Sequence, residues 1–463
     1  MYKGDTISAI STPLGKSGIG IVRVSGPDSI MIANRLFSSP HETDLSKVKS
    51  HTIHYGFIRN PENGKKVDEV LVSIMKSPKT YTREDIAEIN CHGGIVPLRK
   101  TLELTFGQGA RPAEPGEFTK RAFLNGRITL DQAKSVKDLI DSKTQLSLEL
   151  AVKKLEGKFS KFLSEMRDEL TSILAKIDVA IDFPDYQESV LSDEELRKKL
   201  SNAKGRINRF LDKSKDGKIL KEGHKTAIVG RPNVGKSTLL NKLLKEERAI
   251  VSTTPGTTRD VIEEEIEING IPLLVTDTAG IRHPENEVEK LGVSRAKEQG
   301  KNADISLFLI DITEELQAED LEIADELDPN KTIIILNKAD LEENLSKQSI
   351  ADTMGNNWVD IIPLSAKKGS GLDSLEETIT QSIWGGRVEK DESIILLDVK
   401  EKNLLKQAKE DLEEALTSLD EGRPVELVEV HVRSAREKLG ELLGEDLPEQ
   451  ILDKVFSDFC VGK

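Results

Sequence analysis

Cysteine is almost absent. Cys91 and Cys460, far apart among 463 residues, cannot build a disulfide framework, and their spacing matches no zinc motif. A reducing compartment is the simplest setting. Long apolar runs are missing too. No stretch approaches the ~20 residues that span a bilayer, and Met1-Tyr2-Lys3-Gly4-Asp5 opens no signal-peptide core. The expectation is a soluble, cytoplasmic protein with no membrane partner. Positive charge is in deficit: 66 Lys and Arg stand against 81 Asp and Glu, a formal charge of -15. Such a chain does not coat nucleic acid through bulk electrostatics, although a local basic patch can still bind a structured RNA. Internal repeats and low-complexity tracts are lacking as well.

What is present is a chain 37% hydrophobic and 32% charged, able to bury cores beneath a well-solvated surface. At ~150 residues per domain its length predicts two to four domains. Residues 1–120 mix short β-rich runs with Gly and Pro turns. Segments 19–24 (IGIVRV), 69–74 (EVLVSI) and 86–90 read as strands, the last closed by His92-Gly93-Gly94, and 99–106 reads as helix. This predicts a compact α+β domain. Residues 121–222 are helical. Leu148, Val152, Leu155, Phe159, Phe162, Met166, Leu170, Ile173, Ile177 and Ile181 recur at steps of three or four, which predicts one long helix stopped by Pro184. Ser192 and Glu195 have the spacing of a capping box. Residues 223–385 alternate strand and helix, as a parallel α/β sheet does. Residues 386–463 turn helical again, with Leu404, Ala408, Leu412 and Leu416 on one face. The α/β unit is therefore expected as an insertion between two halves of one helical domain.

The chemistry is clearest in that insertion. Strand 225–229 runs into Gly230-Arg231-Pro232-Asn233-Val234-Gly235-Lys236-Ser237, which fits G-x-x-x-x-G-K-[ST]. Glycines let successive backbone N–H groups face phosphate oxygens, Lys236 adds a cation and Ser237 offers a hydroxyl to Mg²⁺. The helix from Thr238 aims its positive end at the same anion. Strand 273–276 leads to Asp277-Thr278-Ala279-Gly280, where a carboxylate can hold Mg²⁺ and a glycine exposes an N–H to the γ-phosphate. Strand 333–336 feeds Asn337-Lys338-Ala339-Asp340, and Ser365-Ala366-Lys367 follows strand 361–364. The NKxD sequence resembles that of translation-factor-like GTPases, in which its Asp reads guanine. Asp340 carries that role by resemblance, selecting GTP over ATP.

One expected residue is missing. The position after DxxG, where Ras-like enzymes place a water-orienting Gln, is Ile281. The polar segment Ser252-Thr253-Thr254-Pro255-Gly256-Thr257-Thr258-Arg259-Asp260, together with Asn233, suits Mg²⁺ and a second, monovalent cation that cancels developing charge. On local sequence alone Asn233 also reads as a turn-forming residue with no ion.

Over its whole length the sequence resembles the MnmE (TrmE) tRNA modification GTPases. The resemblance is carried by Gly18 to Gly26 (GIGIVRVSG), Thr82-Arg83-Glu84-Asp85, His92-Gly93-Gly94, Pro115 to Gly126 (PGEFTKRAFLNG), Ile181-Asp182-Phe183-Pro184-Asp185, the GTPase set and the terminal Cys460-Val461-Gly462-Lys463. It implies an N-terminal folate-binding and dimerising domain (1–120), a discontinuous helical domain (121–222 and 386–463) and an inserted Ras-like P-loop GTPase domain (223–385). It further implies modification of tRNA wobble uridine at carbon 5, performed as a homodimer with an FAD-dependent MnmG (GidA) partner in a heterotetramer or larger assembly. The one-carbon donor would be a tetrahydrofolate derivative, in 5-formyl or 5,10-methylene form, with glycine or ammonium as amine.

By the same resemblance the folate contacts are Arg23, Glu88, Arg127 and Lys463. The GTP contacts are Asn233 to Thr238, Ser252 to Thr258, Asp277 to Gly280, Asn337, Lys338, Asp340 and Ser365 to Lys367. The Mg²⁺ ligands are Ser237 and Thr258, and the K⁺ ligands Asn233, Ser252, Thr254 and Thr257. The water-orienting carboxylate is Glu289, which by itself reads as one charge of an acidic run with Glu285 and Glu287. Cys460 reads as a folate-site thiol or as a nucleophile, a neighbouring cation favouring thiolate. Cys91 reads as a buried structural thiol. The competing reading is a GTPase switch that binds RNA or ribosomes and performs no modification chemistry.

Overall fold

The computed structural model describes residues 4–183, 192–216, 219–220, 223–245, 264–275, 303–355, 357–384, 395–445 and 448–463. They divide into two compact units. The first takes residues up to Lys137, Leu155–Ala203 and Gln407–Lys463, and the second Asp138–Lys154 and Lys204–Lys406.

The first unit is built on a seven-stranded sheet of order β3-β4-β5-β6-β2-β1-β7. Its strands are β1 (Ile7–Ile10), β2 (Ser17–Ser25), β3 (Phe37–Ser38), β4 (Thr52–Arg59), β5 (Lys66–Met75), β6 (Ile86–Gly93) and β7 (Arg111–Pro112). All pairings are antiparallel except β1 with β7. The period-two alternation of β-branched residues decides which face is buried. Val22, Val24, Val70, Val72, Ala87 and Ile89 lie in a core with Ile32 and Leu36 of helix Ser29–Leu36 and Leu98 of helix Ile95–Gly107. Intervening residues, Arg23 and Glu88 among them, point the other way. Cys91 is buried in that core, which pushes its thiol up to about 11, as expected of a structural cysteine.

The same unit holds the long helix Lys158–Asp182, which packs along Val425–Leu443. Met166, Leu170, Ile173 and Ile177 are buried on one, Val428, Val432, Ala435 and Leu439 on the other. Each of these side chains larger than alanine contributes about 1.5–3 kcal/mol. The single helix expected from Leu148 to Ile181 is not formed. It is two helices, Gln145–Leu155 and Lys158–Asp182, broken at Gly157 with φ of 81°. The apolar period runs through the break because both pieces are amphipathic, so periodicity cannot register it. A glycine in left-handed backbone is what permits it. The first piece turns Leu150 and Ala151, not Val152, into a core. The capping box is half realised. Ser192 Oγ accepts from Glu195 N at 3.2 Å, while the Glu195 carboxylate pairs with Lys176 and Lys199, each at 3.0 Å. Near the C-terminus, helix Val399–Asp420 buries Leu405, Ala408, Leu412 and Ala415, one step from the expected Leu404 and Leu416, which are half-buried.

The second unit carries a sheet of order β10-β11-β9-β12-β13-β14. Its strands are β9 (His224–Val229), β10 (Glu264–Ile268), β11 (Ile271–Val275), β12 (Ile305–Asp311), β13 (Thr332–Asn337) and β14 (Asp360–Leu364). Only the β10–β11 hairpin is antiparallel. Strands β8 (Ser214–Asp216) and β15 (Ile395–Leu397) pair in parallel in the same unit. Helix Gln145–Leu155 packs here. Leu150 is buried in the core that holds Ile268 and Ile271, and Thr144 Oγ1 donates to Gly270 O at 2.8 Å. Nothing in the 145–155 sequence announces that partner. Among the described residues no helix is long and apolar enough to cross a membrane.

Candidate functional site

Two clusters of the expected residues form, one in each unit. In the second unit, β9 ends at Val229 and the next helix is Lys236–Lys245. The intervening loop needs its glycines for space as well as torsion. A Cβ on Gly230 would lie 2.4 Å from Leu309 O, and one on Gly235 would lie 2.2 Å from Asn337 Nδ2. Asn233 adopts φ of 63°, a left-handed conformation asparagine tolerates, and so turns the loop at that point. Lys236 Nζ folds onto its own loop, donating to Gly230 O at 2.5 Å and Arg231 O at 2.7 Å. Burial lowers its pKa to about 8. A half-buried cation held, among the described residues, by carbonyls at a helix N-terminus suits a polyphosphate.

The Asn337-Lys338-Ala339-Asp340 and Ser365-Ala366-Lys367 segments follow the ends of adjacent strands. Asn337 ties them to the phosphate loop: its Nδ2 donates to Val234 O at 2.7 Å and its Oδ1 accepts from Ala366 N at 2.9 Å. Asp340 accepts from Ser365 Oγ at 2.7 Å, which holds its carboxyl below the usual range and keeps it ionised. Lys338, at φ of 68°, pairs with Asp311 at the end of β12. Sequence reasoning misses Asp311, whose only signal is its place at a strand end. Lys368, exposed like the neighbouring Lys367, approaches Asp340 at 3.6 Å. Arg231 of the phosphate loop is anchored by Asp320 at 2.8 Å and Glu314 at 3.1 Å. Ser252, Thr253, Thr254, Pro255, Gly256, Thr257, Thr258, Asp277, Thr278, Ala279, Gly280 and Glu289 lie outside the described residues.

In the first unit, Arg23 of β2 and Glu88 of β6 are direct register partners, so their side chains meet on one face of the sheet. Arg23 Nε donates to Glu88 Oε1 at 2.8 Å. Its Nη1 donates to Gly462 O at 3.3 Å, bridging residues 439 apart in sequence. Ser11 Oγ donates to the same carbonyl at 3.0 Å, Gly116 N donates to Cys460 O at 3.3 Å, and Pro115 bridges Val461. Residues 460–463 are thereby laid against β1 and the start of helix Glu117–Leu124. Arg127 joins through Tyr81, donating to its carbonyl at 3.3 Å with its guanidinium 4.8 Å from the ring centroid. The structure thus brings together Arg23, Glu88, Arg127 and the terminal tetrapeptide. Cys460 is exposed and free, and Lys463 half-buried.

Family comparisons agree across the chain. A model of the TrmE N-terminus (GTP-binding protein TrmE) matches residues 6–127, and a model of the MnmE helical domain matches 130–460. The chain belongs to the MnmE family. MnmE proteins of Geobacillus thermodenitrificans and Bacillus subtilis, both named tRNA modification GTPase, are 45% and 43% identical to it, covering 100% and 99% of this chain and 100% of their own lengths. Among solved structures, the G domain of the T. maritima FeoB iron transporter is similar over 34% of this chain and 98% of its own, at 22% identity and a TM-score of 0.26, too slight a likeness to argue from. As an MnmE-family GTPase the chain is a GTP-hydrolysing enzyme. Its fold joins the family's α+β N-terminal domain, a helical domain built from separated segments and an α/β P-loop GTPase domain.

The terminal tetrapeptide of this MnmE chain leaves no room for error. Gly462 has φ of 93°, and a Cβ there would lie 2.3 Å from Ile10 O, a backbone atom fixed in the sheet. Gly462→Ala is expected to lift the tail from Arg23 and Ser11. Limited proteolysis followed by mass spectrometry should find the last residues cut much faster than in wild type; equal rates would show that the tail is not seated this way.

Proposed function

We propose that this protein is the GTP-hydrolysing component of tRNA wobble-uridine modification. It acts as a homodimer in the cytoplasm, with an FAD-dependent MnmG-type partner, to add a (carboxymethyl)aminomethyl group at uridine C5 from a tetrahydrofolate one-carbon donor. The supporting observation is the convergence of Arg23, Glu88 and Gly462 at one place. A GTPase switch has no use for it, whereas a reduced folate does. Glu88 can accept from the amino and ring N–H groups of a pterin, with Arg23 holding it in place. Arg127 and Lys463 supply cations for the glutamyl end or a formyl oxygen.

The phosphate loop fits a nucleoside triphosphate for the reasons of space and charge given above. Lys236 leaves its carbonyls for the β/γ-phosphates, the helix N-terminus adds backbone donors, and Asp340, kept ionised by Ser365, accepts from guanine. Mg²⁺, held by Ser237 with Thr258, would neutralise charge on the transferred phosphoryl group. K⁺, taken by Asn233, Ser252, Thr254 and Thr257, would do the same where an arginine finger acts in other GTPases. Glu289 orients the attacking water in place of the Gln that Ile281 replaces.

Deleting the gene and analysing the nucleosides of total tRNA tests the proposal. Loss of the modified wobble uridines is expected, and unchanged uridines would overturn it. GTP turnover should rise sharply with K⁺ and not with Na⁺; equal rates would remove the K⁺ assignment. Glu289→Ala should lower kcat with little change in GTP affinity, as a residue used in the transition state does. A large loss of GTP binding instead would mark a structural role.

A further inference from the structure

Tyr81 touches both arginines of the Arg23–Glu88 cluster, and nothing in the sequence marks it. Its ring centroid lies 5.9 Å from the guanidinium carbon of Arg23 and 4.8 Å from that of Arg127. Phe118, fully buried, meets Arg23 from another side at 5.6 Å. The ring itself is fixed. Tyr81 Oη and buried Thr119 Oγ1 are 2.9 Å apart, and the adjoining Thr82 lies 2.7 Å from Ser25 Oγ.

The two arginines differ in what they have left to give. Arg23 is spent on Glu88 and the Gly462 carbonyl. Arg127 is exposed, donates only to the Tyr81 carbonyl, and has no carboxylate partner among the described residues. An exposed arginine normally loses side-chain freedom when it captures an anion. One already laid on an aromatic ring loses less, and its planar fork still offers paired donors to a carboxylate.

We infer that Tyr81 is a positioning residue that seats Arg127 as the anion-recognising arm of the cluster, so that the site discriminates a reduced pterin carrying a glutamyl carboxylate from one without it. The inference deepens the folate reading proposed above and depends on it. The Glu88–Arg23 pair takes the donor-rich ring end of the ligand, and Arg127 takes the anionic end.

The test is fluorescence titration of the full-length protein with tetrahydrofolate and with tetrahydropterin lacking the glutamyl group. The proteins compared are wild type, Tyr81→Phe, Tyr81→Leu, Arg127→Ala and the Tyr81→Leu/Arg127→Ala double variant. Wild type should prefer the folate. Tyr81→Leu should weaken folate binding about tenfold, the order of one partly desolvated cation–π contact, and pterin binding far less, because Arg23 keeps Glu88, the Gly462 carbonyl and Phe118. Tyr81→Phe, which keeps the ring, should bind the folate as wild type does. The double variant should be no worse than Arg127→Ala, because both changes remove the same arm. A Tyr81→Leu protein that binds folate like wild type, or loses folate and pterin equally, would overturn the inference and leave the folate reading standing. Wild type that binds neither compound would overturn the folate reading itself, and this inference with it.

Discussion

Arg121→Ala should destabilise the first unit by about 3–5 kcal/mol, the usual cost of removing one partner from a buried ionic network. The guanidinium is 1% exposed and holds several acceptors at once: Asp5 O at 2.9 Å, Asp5 Oδ1 at 2.6 Å, Glu117 Oε1 at 2.9 Å and Glu84 Oε1 at 3.1 Å. Those groups belong to the segment before β1, the loop before β6 and helix Glu117–Leu124. One planar cation therefore fastens three pieces of chain around the Arg23–Glu88 cluster. Arg111 supports it, pairing with Asp5 at 2.7 Å and Glu117 at 2.6 Å. Burial opposes ionisation of Asp5 and Glu117, yet the two arginines outweigh it and hold both carboxyls below their usual range. The sign of the pH dependence follows. Carboxylates with depressed pKa values stabilise the fold above the ordinary carboxylate range and lose that contribution as pH falls. The deficit of Arg121→Ala should thus be largest near neutrality and shrink on acidification. Arg121→Lys should not restore stability, since a point cation cannot match the fork. Urea unfolding followed at several pH values measures this. A neutral-pH midpoint equal to wild type would show that the network is ornamental.

Lys236→Ala should lower kcat/KM for GTP by about 10²–10³-fold or more, the scale of removing one charge-stabilising donor from a reacting site. Burial brings the pKa of this lysine down to about 8. Phosphate binding restores the proton, so GTP binding takes up a proton wherever the free lysine is neutral. GTP affinity should accordingly be flat below about pH 8 and fall by up to about tenfold per unit above it. Calorimetric titration from neutral to alkaline pH, in buffers of different ionisation enthalpy, reads both the affinity and the proton uptake. Affinity that stays level through this range, with no proton uptake, would mean that the lysine is charged before nucleotide arrives.

Much of the α/β unit is legible in the amino-acid sequence. Each of its motifs is a local device: a glycine that admits φ of 103° at Gly235, an asparagine at φ of 63°, a hydroxyl one residue past a lysine. Local devices show in local sequence. The strands carrying them are legible for a similar reason, because fully buried parallel strands read as unbroken apolar runs. The β2 and β6 strands are legible too, but the opposition of Arg23 to Glu88 is set by their register, which only the folded sheet shows.

Helix partners are not legible. The apolar stripe through Leu148 and Ile177 is continuous in sequence, but Gly157 divides it, and its first piece packs with the β10–β11 hairpin while its second packs on Val425–Leu443. Periodicity says that a face will be buried and is silent about what covers it. Ion pairs between distant segments are hidden likewise. Arg121, Glu84 and Asp5 each read as a surface charge until the fold closes over them, since their pairing depends on three-dimensional proximity and not on spacing.

The sequence by itself therefore determined the nucleotide-binding motifs, the fold class and the family, because these depend on contiguous residues with fixed backbone demands. Tertiary structure alone decided that the last four residues return to the first strands, that Tyr81 stands between two arginines, and that Arg121 meets Asp5 and Glu84. Those are contacts between side chains tens or hundreds of residues apart, and only the packing of the intervening chain brings them within reach.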